Sequence, residues 1–161
     1  MRNRGLLIVL LLACALYNVA SGQQTALVGT WEEIEGRLDG DGRQTAVRAN
    51  LLVFTPDGYY MTTDFPPTRP KVNKRLADMT KEELLARFAD VRGQRGTYSV
   101  SGDRLTTQRL ASIDPNEEVA TLVRVFKIEG DTVTFTAPDP KIKFQSRFRR
   151  VKPNVAANDN R

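Results

Sequence analysis

The chain has 161 residues, with 24 basic and 19 acidic side chains, 11 glycines, 8 prolines, a single cysteine and no histidine. That length suits one ordinary domain with a single core. With no histidine, and a thiol only at Cys14, nucleophile–base pairs and transition-metal sites lose their usual parts, while the mild net charge of +5, interleaved along the chain, does not argue for nucleic acid.

Met1 to Gly22 has the build of a secretory signal: Arg2 and Arg4 supply the positive start, and Gly5 to Leu16 is an apolar run too short to span a bilayer comfortably. Ala20 and Gly22 occupy the two positions a signal peptidase reads, so cleavage after Gly22 would leave a mature chain beginning at Gln23; cleavage after Ala20 fits the same rule. Leu11-Leu12-Ala13-Cys14 offers an alternative, because it resembles the lipobox of bacterial lipoproteins, in which the cysteine is lipidated and becomes the mature terminus. Against it stand the short segment before Cys14 and the apolar Ala15-Leu16-Tyr17 after it. A chain cut after Gly22 has neither thiol nor disulfide.

Past the leader, Leu27 to Gly36 reads as a first strand carrying Trp31, followed by an Asp39-Gly40-Asp41-Gly42 loop that is too short for a calcium loop. Asn50 to Thr55 and Gly58 to Asp64 flank Pro56-Asp57, where proline presets φ and Asp-Gly closes a hairpin. Phe65 to Met79, with Pro66, Pro67 and Pro70 among several cations, reads as a solvent-side connection. Thr80 with Glu83 makes a capping box, and Leu84, Leu85, Phe88 and Val91 share one face of a helix that Gly93 ends; that face is expected to lie on the barrel mouth or wall. Five further strands follow: Gly96 to Val100, Arg104 to Ile113, Val119 to Ile128, Thr132 to Ala137 and Ile142 to Val151. The strands total eight, the number at which an antiparallel sheet closes around side chains or one small ligand. The expectation is an all-β, eight-stranded up-and-down barrel over 23–153, with one short helix between strands 3 and 4 and a polar tail over 154–161.

The Gly29-Thr30-Trp31 start, the Pro56-Asp57-Gly58-Tyr59 hairpin, the helix, the run Gly96 to Asp103 and Arg124 leading into Ile128-Glu129-Gly130-Asp131 together resemble the bacterial lipocalin-like domain proteins. The resemblance spans about Leu27 to Val151 and implies a calycin-type barrel holding a small apolar or amphipathic molecule. It departs from that family in having no histidines in the strand from Arg104 and no C-terminal helix after the last strand. The resemblance also implies that Trp31 closes the base beneath a basic side chain of the last strand, with Arg147 or Arg149 matching by position.

In the last strand Lys141, Lys143, Gln145, Arg147 and Arg149 alternate with Ile142, Phe144, Ser146 and Phe148, so the basic row is expected on the outer face. Arg124 shares a face with Leu122, Phe126 and Ile128. An arginine among apolar neighbours at period two either points into the barrel to bind a carboxylate or pairs with an internal Asp or Glu. Arg124 is the leading ligand-orienting candidate; Gln108, Tyr98, Tyr60 and Phe126 are placed in the same cavity, with Tyr59, Met61 and Phe54 as further wall residues. No catalytic residue, metal ligand or cofactor is assigned. The leading function is an exported binder of a small apolar or amphipathic molecule, touching membrane only if Cys14 is lipidated. An isomerase- or cyclase-type enzyme and a structural or inhibitory protein with a packed interior stand as alternatives, and the oligomeric state is left open.

Overall fold

The structure, a computed structural model, describes residues 24–152. The leader expected over 1–22, with Cys14, and the tail expected over 154–161 lie outside the described residues. Eight strands follow in chain order: β1 (Gly29–Glu33), β2 (Ala49–Phe54), β3 (Tyr59–Phe65), β4 (Arg92–Ser101), β5 (Arg104–Ser112), β6 (Thr121–Glu129), β7 (Thr132–Thr136) and β8 (Gln145–Arg150), with helix α1 (Lys81–Phe88) between β3 and β4. Each strand pairs antiparallel with the next, and β8 returns to β1, so the sheet is a closed up-and-down barrel of lipocalin-like form.

Alternation sets the inside. Asn50, Leu52 and Phe54 of β2, Tyr60 and Asp64 of β3, Val133 and Phe135 of β7, and Ser146 and Phe148 of β8 face inward, while Leu51, Tyr59 and Met61 between them are exposed. Tyr59 and Met61 are therefore outer-face residues, not cavity walls. The strand directions put the β2–β3, β4–β5 and β6–β7 turns at one end with the start of β1. That end is filled: Leu27, Trp31, Phe54, Tyr98, Leu105, Val133 and Phe148 belong to one buried cluster. Phe54 meets the Tyr98 ring edge-on at 4.9 Å, and Phe135 meets Phe148 at 5.9 Å, the T-shaped geometry that aromatic quadrupoles favour.

Several boundaries differ from expectation. Leu27 belongs to a helical turn over 24–27 rather than to β1, and its carbonyl accepts the Trp31 indole N–H at 2.8 Å. Helix α1 stops at Phe88, because Asp90 takes a left-handed φ of 58° and turns the chain straight into β4 at Arg92. Val119, with φ 57°, likewise delays β6 to Thr121. The capping box forms, with Thr80 Oγ1 accepting from Glu83 N–H at 3.2 Å and Glu83 Oε2 accepting from Thr80 N–H at 2.9 Å. The helix face is not seated as expected, however: no residue of α1 is buried, and Leu85 and Phe88 are exposed.

Candidate functional site

The base of the barrel is built by the last inward residue of β8. Trp31 lies opposite Arg150 in the β1–β8 ladder, and cross-strand partners share a face, so the Arg150 guanidinium sits 4.1 Å from the indole centroid. Its two terminal nitrogens donate to the carbonyls of Val28 and Ala26, both at 2.6 Å. Gly29, with φ 134°, makes room: a Cβ there would come within 2.6 Å of Arg150 Nη1. This corrects the assignment of the plug cation to Arg147 or Arg149. Those two lie on the outer face, where Arg147 pairs with Glu35 and Arg149 with Glu32, its partner directly across the ladder. The pattern Phe144, Ser146, Phe148 inward leads by one more step of two to Arg150, so the signal was present.

Above the packed base lies a cavity of about 690 Å³, lined low down by Leu52, Phe54, Leu105, Phe135 and Phe148 and reaching the end of the barrel formed by residues 90–94 and 112–115. Arg124 and Tyr60 line it; Tyr98 and Phe126 are buried in the core and do not. Tyr98 instead donates its hydroxyl to the Thr55 carbonyl at 2.8 Å beside the β2–β3 turn. Gln108 is exposed on the outer face of β5, which corrects its assignment to the cavity. The inward residues of that strand are Leu105, Thr107 and Arg109, all of them lining the cavity. A solid interior, the premise of the structural or inhibitory alternative, is not what this barrel has.

The polar part of the wall is charged. Asp64 accepts from Arg37 Nη2 at 3.1 Å and from Arg48 Nε, and Arg48 also donates to the Asp90 carbonyl, tying β3 to the segment before β4. Arg109 pairs with Glu117 at 3.2 Å. Arg124 has no carboxylate within ion-pair distance among the described residues. It lies 4.1 Å from the Phe144 ring centroid and donates from Nη1 to the Val123 carbonyl at 3.3 Å. Burial lowers its pKa first, and the neighbouring cations Arg109 and Arg37 lower it further.

Two buried groups lack a hydrogen bond of normal geometry. The Tyr60 hydroxyl makes no hydrogen bond of normal geometry; burial raises its pKa, with Thr107 and Arg109 opposing. Behind the wall, both oxygens of Glu33 are likewise without a hydrogen bond, Arg37 Nε being 4.0 Å away, and desolvation pushes this carboxyl up against the opposing pull of Arg37. Arg37, Asp64, Arg109 and Glu33 escape a reading by composition because a charged residue in a strand or loop reads by default as solvent-facing. Among the described residues no group of three or more His, Cys, Asp or Glu is placed to hold a metal ion.

No protein-family model matches the chain. No curated protein matches it either. Among solved structures it is similar to a lipocalin-like protein from Bacteroides uniformis, with a TM-score of 0.48 and 13% identity over 78% of this chain and 98% of that one. It is similar also to an uncharacterized protein from Bacteroides eggerthii, with a TM-score of 0.48 and 11% identity over 78% of this chain and 99% of that one.

Proposed function

We propose that this lipocalin-like barrel is an exported binding protein that carries one small apolar or amphipathic molecule in its interior. The observation that carries this reading is the cavity of about 690 Å³, within the range of small-molecule sites, with an apolar floor and a few convergent polar groups above it. Export rests on the leader expected over Met1 to Gly22. Catalysis is the weaker reading: the buried carboxyl with a raised pKa, Glu33, stands behind Arg37 and Asp64 and does not line the cavity.

The test is mass spectrometry of small molecules released from protein purified natively after export, beside the variant Ser146→Phe. Ser146 is buried in the cavity wall, so a phenyl ring there occupies ligand space. Recovery of an unmodified compound from the native chain, and its loss from Ser146→Phe, is the expected result. Equal recovery from both would put binding outside the barrel. The mass of the intact exported chain reads the terminus: Gln23 or Ser21 for a cleaved leader, a lipidated Cys14 for an anchored one.

A further inference from the structure

The cavity wall has donors in excess. Among the described residues, the Tyr60 hydroxyl and Arg109 Nε are buried beside one another with no hydrogen bond of normal geometry, and Arg124 uses its five-donor guanidinium for one long bond to its neighbour's carbonyl. The Gln94 Oε1, near the mouth, is the one acceptor of the wall in the same condition. The lining carries four arginines and four carboxylates, and they are unevenly placed: Asp64 serves Arg37 and Arg48, Glu117 serves Arg109 from a half-exposed position, and Arg92, Asp90 and Asp114 are exposed at the mouth, which leaves Arg124 as the cation of the inner wall in no ion pair among the described residues. An unpaired guanidinium among apolar side chains is costly, and an entering anion removes that cost.

The backbone explains how these donors converge. Arg124 stands opposite Leu105 and Thr107 opposite Leu122 in the β5–β6 ladder, while Tyr60 stands opposite Gly96, itself opposite Arg109. A Cβ on Gly96 would lie 2.9 Å from the Tyr60 ring and 1.9 Å from the Gln108 carbonyl oxygen, so glycine there lets the tyrosine lie across β4 toward Thr107 and Arg109. Below that level the walls are Leu52, Phe54, Leu105, Phe135 and Phe148.

Resting on the reading of the barrel as a small-molecule binder, we infer that its ligand is an amphipathic carboxylate, the anionic group received by Arg124 with Tyr60 and Arg109 beside it, and the apolar part directed to the floor. One unpaired cation on the inner wall calls for a monoanion there, which favours a carboxylate over a phosphate monoester.

The test uses the uncharged fluorescent probe N-phenyl-1-naphthylamine, displaced in turn by dodecanoate, dodecanol and dodecyl phosphate. Dodecanoate is expected to bind about ten- to a hundredfold more tightly than dodecanol, the range for hydrogen bonds to a charged group. Arg124→Met is expected to erase that preference while dodecanol binding stays, and Tyr60→Phe, which removes one oxygen, to reduce it severalfold; thermal melts check that both variants fold, and Tyr60→Phe alone decides if Arg124→Met does not. Parity of dodecanoate and dodecanol, or a preference neither variant touches, overturns the carboxylate site and leaves the binder standing. Tighter binding of dodecyl phosphate replaces carboxylate by phosphate. Failure of the probe and of all three amphiphiles to bind overturns the binder and this inference together.

Discussion

Half-buried Arg150 and buried Glu33 are charges on the closing pair of strands, and their surroundings give them opposite effects on stability. Arg150 is compensated by two carbonyls and the Trp31 face. Arg150→Met retains the stem and loses all three, so it should lower unfolding stability by about 2–4 kcal/mol. Arg147→Met and Arg149→Met break surface pairs and should each lower it by about 1 kcal/mol or less; equal losses across the three in urea melts would return the plug to the outer row. Glu33 has only the long ion-pair contact to Arg37 at 4.0 Å, and desolvation outweighs that pull and raises its folded pKa. A carboxyl whose folded pKa lies above its unfolded value favours folding fully below the unfolded pKa, and that benefit is lost as pH rises through the folded one. Glu33→Gln removes this dependence. Its stability relative to the native chain should climb from about pH 4.5 upward and level off once the raised pKa is passed. A difference between the two chains that does not vary with pH would show Glu33 to be ionised and satisfied.

At the scale of elements, α1 and the strands differ in what holds them. The helix has a complete capping box but buries none of its residues, so its stability is local, whereas each strand has a partner on both sides. Amide hydrogen exchange should be fast over Lys81–Phe88 and slow over β4 and β7. Thr80→Ala should accelerate exchange in the helix on the order of fivefold without moving the thermal midpoint of the barrel. A fall in that midpoint would mean that α1 is packed as part of the fold.

The same contrast explains what was legible in the chain. Six turn-type connections, one helical connection and clean alternation announced eight strands, because a half-buried strand writes its burial at period two. On β5 the two faces, Leu105-Thr107-Arg109 and Thr106-Gln108-Leu110, each hold one leucine, one threonine and one polar residue, so alternation cannot choose between them. The choice is made by pairing with β4 at Gly96, where the register shifts. Arg92 to Arg95 carried no apolar signal, which hid the first turn of the β4 ladder. The helix face looked destined for the barrel by its spacing alone, and spacing does not say what, if anything, lies opposite.

For the molecule as a whole, closure divides the barrel into a packed lower part and an open upper part within one cooperative unit. The β1–β8 pairing removes the free edges, so the unit should unfold as one. Trp31, the only tryptophan, is fully buried in the packed base and does not line the cavity. Its emission should therefore report global unfolding and be nearly blind to occupancy of the cavity. A ligand bound only by the folded state adds about 2.7 kcal/mol at a hundred times its Kd. For a domain of this size that corresponds to a rise of roughly 10 °C in the thermal midpoint. Dodecanoate at such a concentration should produce that rise while the native Trp31 spectrum keeps its position, and Ser146→Phe should abolish it. A large shift of the native spectrum on binding would place the ligand against the base, and would mean that the plug opens and that the two parts of the barrel are not mechanically separate.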